Sequence, residues 1–183
     1  ESGWAAPRSV CPATSSLRPH QRYLYSVTSF SVRAATTADM RVIQALVEPL
    51  VNGRILLGKD LVVFYEAVQE FRVAVTDDGH VIGCGALHVM WHDLAEVRTL
   101  AVVSEWLGKG VGHALLEQIE HDANVLGLQR LFCLTFETAF FTRHGFEPVS
   151  EELVDPVVFA QLSLSPDEGI AEFLDLSRVK PNT

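Results

Sequence analysis

Cysteine is scarce, cations are few and long hydrophobic runs are missing, and each shortage removes a class of protein. The three cysteines, Cys11, Cys84 and Cys133, are odd in number and far apart in 183 residues. Such a set makes no disulfide framework and suits a reducing cytoplasm. Lys and Arg total 14 against 23 Asp and Glu, a formal net charge of −9. That balance argues against a nucleic-acid surface, because neutralising phosphates takes clustered cations. It leaves room for a local basic pocket that holds a small anion. No apolar run approaches the ~20 residues that span a bilayer, so no membrane segment is expected. No uninterrupted apolar stretch near the start reads as a signal peptide. What remains is the composition of a globular protein, with 48% hydrophobic and 20% charged residues, at a length that fits one domain with a real core.

Residues 1–30 differ from the rest: Pro7, Pro12 and Pro19, scattered serines and a single acid, Glu1, with no sustained apolar periodicity. A tail without chemistry is expected over 1–30 and a single domain over 31–183. The first residue is Glu rather than Met, so part of the tail is expected to be foreign to the natural chain.

From Ser31 onward strands and helices alternate. Ser31–Ala34 reads as a strand, with Thr36 or Thr37 available as an N-cap. Met40, Ile43, Val47 and Leu50 recur at helical spacing, which predicts a helix over roughly 38–50. A second helix is predicted over 60–70, and Phe71–Val75 reads as a strand. Asp77-Asp78-Gly79 is a hairpin turn, with Val81–Val89 as the returning strand, thinned by Gly83 and Gly85. Glu96–Val103 is the next strand; Val111, Leu115, Ile119, Ala123 and Leu126 mark a helix that Gly127 can end. Leu131–Thr135 is a buried-type strand, 138–144 a short helix stopped by Gly145, and Asp155-Pro156 the start of another helix. Ile170–Ser177 reads as a final strand, apolar on much of both faces, which suggests cover by a second subunit. The fold class is α+β, a mixed sheet with helices.

The sharpest local signal is Gly108-Lys109-Gly110-Val111-Gly112, five residues after Leu100-Ala101-Val102 and directly before a helix. Glycines let backbone approach a ligand, and the helix N-terminus adds partial positive charge, so a pyrophosphate is a natural guest. The pattern is neither GxxxxGK[ST] nor GxGxxG. Taken alone, it also fits a tight turn with close helix packing.

The element order and several motifs together resemble the GNAT acyl-CoA N-acyltransferase superfamily. The motifs are Arg33-Ala34-Ala35-Thr36-Thr37-Ala38-Asp39, Leu100-Ala101-Val102 with Gly108–Gly112, and Phe140-Phe141-Thr142-Arg143-His144-Gly145-Phe146. The resemblance implies a central sheet whose two middle strands splay apart, with the acetyl-CoA arm in the gap. It also implies that Leu100, Ala101 and Val102 pair with pantetheine through their backbone. The turn Leu107, Gly108, Lys109, Gly110, Val111, Gly112 and His113 would hold the pyrophosphate, with Phe141 and Arg143 beside the cofactor.

A narrower likeness runs from about 31 to the C-terminus. Leu56-Leu57-Gly58-Lys59, Val81–Leu87, Ala95–Val102, Leu131–Thr135 and Ser177-Arg178-Val179-Lys180 resemble the acetyltransferase domain of N-acetylglutamate synthases. The short, kinase-domain-free synthases of actinobacteria are the nearest match. That likeness implies transfer of acetyl from acetyl-CoA to the α-amine of L-glutamate, opening arginine biosynthesis, with no metal. An α-amine must lose its proton before attacking a thioester, and a carboxylate on the central strand can take it. Glu96 stands where many GNAT enzymes place that base. By period two, Glu96, Arg98, Leu100 and Val102 should share one strand face. The plainer reading pairs Glu96 with Arg98 or Lys59 at a solvated edge. A dicarboxylate acceptor calls for cations, and Lys59, Arg98, Ser177 and Lys180 match, or lie beside, substrate-side positions of the family.

Two departures stand out. Leu107 occupies a position where GNAT proteins usually carry Arg or Gln, which leaves Lys109 or Arg143 to complete the phosphate clamp. Phe141 replaces a Tyr that protonates the departing thiolate in many relatives, so water, Thr142 or Ser177 would donate that proton, or the thiolate would leave unassisted. Other readings of the chain are a GNAT enzyme for another small amine, such as glutamine, and a non-enzymatic acyl-CoA-binding regulator. His88, His92 and Asp93 form an incomplete metal set, and Cys84 reads as a small buried residue rather than a nucleophile.

Overall fold

A computed structural model describes residues 3–7, 29–53, 56, 58–148, 156–162 and 164. The strands β1 (Gly3–Pro7), β2 (Phe30–Ala34), β3 (Phe71–Thr76), β4 (Val81–Val89), β5 (Leu94–Val102), β6 (Arg130–Thr135) and β7 (Phe146–Pro148) form one sheet. Their spatial order is β2-β3-β4-β5-β6-β1-β7. From β2 to β5 the pairing is antiparallel, and β5 with β6 is parallel. The β3–β4 hairpin closes on Gly79 at φ +86°, a left-handed conformation that glycine adopts without strain. Gly3–Pro7, inside the segment read as a tail, pairs antiparallel with both β6 and β7.

Helices α1 (Met40–Asn52), α2 (Leu61–Glu66), α3 (Val111–Val125), α4 (Thr138–Arg143) and α5 (Pro156–Leu162) follow the periodic apolar segments. A 3₁₀ turn, Thr37–Asp39, leads into α1. Asp39 locks that start, accepting the Thr36 N–H at 2.7 Å and the Arg33 guanidinium at 2.8 and 2.9 Å. The helix runs past Pro49, whose carbonyl still accepts the Gly53 N–H. The helix predicted over 60–70 breaks at Ala67 and resumes as a 3₁₀ turn, Val68–Glu70. Gly127, at φ +77°, follows the end of α3. The strand expected at Ile170–Ser177 lies outside the described residues.

Two apolar layers sandwich the sheet. On one face Met40, Ile43 and Val47 of α1 and Phe64 of α2 pack on Phe71, Val73, Cys84 and Ala86. On the other, Leu116, Ile119 and Ala123 of α3 pack on Leu87, Ala95, Val97, Leu131 and Cys133. Gly83 and Gly85 make the second contact close. A Cβ at Gly83 would sit 3.0 Å from the Ala101 carbonyl oxygen, and one at Gly85 would sit 2.9 Å from Ile119.

Two irregularities of β5 shape the site. Its pairing with β6 covers Leu94↔Arg130, Ala95↔Leu131 and Glu96↔Phe132 and then stops, so the parallel strands part just beyond Glu96. Against β4, Arg98 faces Ala86 and Ala101 faces Cys84, leaving Thr99 and Leu100 opposite Gly85 alone. Thr99 holds φ +58°, a strained conformation for a β-branched residue and the mark of a bulge. The extra residue reverses the alternation. Glu96 and Arg98 lie on the α1/α2 side, whereas Leu100 and Val102 pack toward α3 with Val111 and Leu115. The uninterrupted period-two face expected from Glu96 to Val102 is thereby corrected.

Candidate active site

Glu96 occupies the last paired position before β5 and β6 separate. Its side chain is buried, with 6% of the residue exposed. Arg98 donates to Glu96 Oε2 from Nε at 3.0 Å, with its Nη2 at 2.8 Å. Burial raises the Glu96 carboxyl above its ordinary range, and the charge and hydrogen bond of Arg98, then His88 and Lys59, pull it back. The pair with Arg98 exists, but it is no solvated edge.

A small cavity adjoins this pair, lined by Lys59, Glu70, Arg98 and Thr99 over an apolar floor of Val63, Phe64 and Phe71. The structure therefore brings Lys59, Arg98 and Glu96 together. Ser177 and Lys180 lie outside the described residues. Cys84 is buried and its thiol is pushed up to about 12, which keeps it protonated and inert as a nucleophile. Cys133 is driven the same way by burial and by the neighbouring Glu96 charge.

On the far side of the fork, β5 runs through Val103 into a 3₁₀ turn, Ser104–Trp106, and then the glycine turn. Gly108 and Gly110 sit at φ +73° and +84°, where an added Cβ would meet nothing, so their requirement is conformational rather than steric. Gly110 is the residue that leads into α3. Helix geometry leaves the N–H groups of Val111, Gly112 and His113 without intrahelical acceptors and gives that end partial positive charge. Leu107 is 63% exposed. Lys109 lays its ammonium 5.0 Å from the centre of the Trp106 ring, on the surface of the turn.

Helix α4 closes against this end of α3. A Cβ at Gly112 would be 3.4 Å from the Phe140 ring. His113 Nδ1 lies 2.8 Å from His144 Nε2, and His144 Nδ1 donates to the Phe140 carbonyl at 2.8 Å. Phe141 is buried against Phe140 and Phe146, so its ring belongs to the core rather than to an open wall. Arg143 is exposed at the end of α4. Val111 is likewise buried, which leaves its backbone as the part able to meet a ligand.

Three features escaped sequence reasoning. Thr99 gave no signal, because a β-branched residue is a poor guess for a left-handed position. His88 pairs across the ladder with Glu96, and Glu70 holds the His88 ring at 2.9 Å. The β4–β5 register would have placed His88 opposite Glu96 had the hairpin been counted back from its turn. Among the described residues, no group of three or more His, Cys, Asp or Glu could hold a metal, and no helix is long and apolar enough to cross a membrane.

Known proteins place this geometry. Residues 43–146 match the acetyltransferase (GNAT) family. An amino-acid acetyltransferase of Mycobacterium tuberculosis is 53% identical over 153 residues, covering 82% of this chain and 87% of that protein. An amino-acid acetyltransferase of Pseudomonas fluorescens is 38% identical over 66% of this chain but only 28% of its own length. A Mycobacterium tuberculosis protein solved in complex with CoA superposes with a TM-score of 0.77 at 52% identity, covering 82% of this chain and 92% of that one. The N-acetylglutamate synthase of Neisseria gonorrhoeae, solved with coenzyme A and N-acetyl-glutamate, gives a TM-score of 0.67 at 27% identity over 84% of this chain and 34% of that one. With a forked β5–β6 pair, a glycine turn opening α3 and these relatives, the chain belongs to the GNAT acetyltransferase family.

Proposed function

We propose that this acetyltransferase moves the acetyl group of acetyl-CoA onto the α-amine of L-glutamate, giving N-acetyl-L-glutamate, the opening step of arginine biosynthesis. The observation that supports it most directly is a buried carboxylate at the fork of two parallel strands, flanked by Lys59 and Arg98. An amino acid with a second carboxylate needs cations at one end and a proton acceptor at the other; Lys59 and Arg98 line the cavity, and Arg98 contacts Glu96.

Glu96 is the base. Arg98 occupies Oε2, so the α-ammonium proton passes to Oε1, directly or through one water. The freed amine attacks the thioester carbonyl, which acetyl-CoA supplies. A backbone N–H near Val102, just beyond the bulge at Thr99 and Leu100, serves the developing oxyanion. Lys59 and Arg98, which line the cavity, hold the acceptor carboxylates, with Ser177 and Lys180 assigned to the same subsite. The turn from Leu107 to His113 takes the pyrophosphate on its first-turn N–H groups, with Lys109 and Arg143 as the nearby cations. Phe141 has no hydroxyl and lies in the core, so the departing thiolate takes its proton from another source. The residues assigned to catalysis and binding all fall within 31–183, and β1 (Gly3–Pro7) adds a strand to the same sheet.

Thiol release from acetyl-CoA with each of the twenty amino acids as acceptor tests the reading. Turnover should be greatest with L-glutamate, and Lys59→Ala should raise the KM for glutamate about tenfold, the effect of losing one charged hydrogen bond. Turnover with another amino acid and none with glutamate would overturn the assigned acceptor.

A further inference from the structure

His88 has no part in the mechanism above, yet its position is unusual for a surface histidine. It stands directly opposite Glu96 in the β4–β5 ladder, which places both side chains on one sheet face at neighbouring positions. Its side chain is 15% exposed, and its Nδ1 lies 2.9 Å from Glu70 Oε1. Glu70 closes the 3₁₀ turn before β3 and also lines the cavity beside Arg98 and Lys59. The carboxylates Glu70 and Glu96 therefore bracket the ring of His88 from the turn and from β5.

We infer that His88, held by Glu70, is a positioning residue that supplies positive charge beside Glu96 and keeps that base ionised and ready to accept a proton. The inference rests on the proposed role of Glu96. Burial of Glu96 favours its neutral form, and a neutral carboxyl cannot take a proton from an ammonium. The groups that bear on Glu96 are Arg98 on its own strand, His88 on β4, Lys59 ahead of α2 and the Cys133 thiol on β6. Lys59 is committed by the proposed reading to the acceptor, and Arg98 is shared with it. His88 is the ring whose anchor, Glu70, fixes it independently of substrate. Charge on His88 lowers the proton affinity of Glu96, in the direction the base requires.

The pH dependence of kcat, at saturating acetyl-CoA and L-glutamate, separates this role from simple packing. The acid limb of kcat reports the base in the ternary complex. His88→Gln should move that limb up by about one pH unit, the effect of removing one nearby opposite charge. His88→Lys should return it toward the wild-type position, and Glu70→Gln should move it in the same direction as His88→Gln by less. An acid limb that stays in place in His88→Gln overturns the inference, whether or not the plateau rate falls. If that variant does not fold, the limb of Glu70→Gln, at a more exposed site, decides in the same sense. Wild-type turnover in Glu96→Gln would instead sink the base assignment itself, an outcome distinct from a stationary limb.

Discussion

Glu96 answers to two opposing demands, and Arg98 is the residue that reconciles them. A carboxylate with 6% exposure pays heavily for lost water, and only a partner on the same face can offset that cost. Truncating the partner leaves the charge stranded, so Arg98→Met should destabilise the fold by about 3–5 kcal/mol at neutral pH. The dependence on pH has a definite sign. Glu96 is raised in the folded state, so its folded form binds the proton more tightly, and stability falls as pH rises above the unfolded value of about 4.3. Without Arg98 that rise is larger. The gap between wild type and Arg98→Met in urea unfolding should therefore shrink as pH is lowered from 7 toward 5. A gap that is constant over that interval would mean Glu96 is not the stranded charge. At this scale the sequence was informative about identity and silent about state. Glu96, Arg98 and Lys59 could be picked out as chemical candidates, but burial, which gives the carboxylate its raised proton affinity, depends on the packing of α2 and β4 around it. Thr99 could not be picked out at all, since its side chain argues against the conformation it adopts.

Among elements, the helices were the legible part. Apolar spacing located α1 and α3 because each buries one stripe against the sheet, and glycine marked the end of α3 through its left-handed turn. The strand bulge was not legible, because a one-residue insertion leaves the hydrophobic pattern on both sides intact while reversing which side each residue faces. That is why Leu100 and Val102 turned out on the α3 side rather than beside Glu96. Nor was β1, whose Gly-Trp-Ala-Ala-Pro sequence has no alternation to read. The start of α1 makes a sharper test of element chemistry. Asp39, buried, accepts from Thr36 and from the Arg33 guanidinium, which fastens β2 to the helix entrance, and these contacts hold its carboxyl well below the usual range. Stability from a depressed carboxylate is present above the unfolded value of about 3.9 and is lost as pH falls through it toward the folded one. Asp39→Ala should cost about 1–3 kcal/mol near neutrality, the loss of charged hydrogen bonds at a capped end. In thermal unfolding the difference from wild type should narrow below about pH 4; a difference that persists undiminished into acid would show that the lost contacts were not those of the ionised carboxylate.

At the scale of the whole molecule, the proposed function rests on the places where the sheet fails to be regular. Two middle strands pair for three positions and part, a bulge at Thr99 and Leu100 follows, and a glycine turn opens a helix at its far end. The family resemblance implied the fork and the turn, and the structure has both. Of the residues proposed for the acceptor, Lys59 and Arg98 line one cavity, and Ser177 and Lys180 lie outside the described residues. Acidic overall charge with cations gathered at one cavity also fits a small anionic acceptor better than a cationic one. The central claim is that Glu96 at the fork takes the proton that lets an amine attack the thioester. Paired measurements on Glu96→Gln, kcat with L-glutamate and the Kd for acetyl-CoA, test it most directly. The account predicts turnover lower by about 10²–10⁴-fold with acetyl-CoA binding essentially unchanged, since the cofactor turn is built from other residues. Turnover within a few-fold of wild type, with the cofactor still bound, would contradict it.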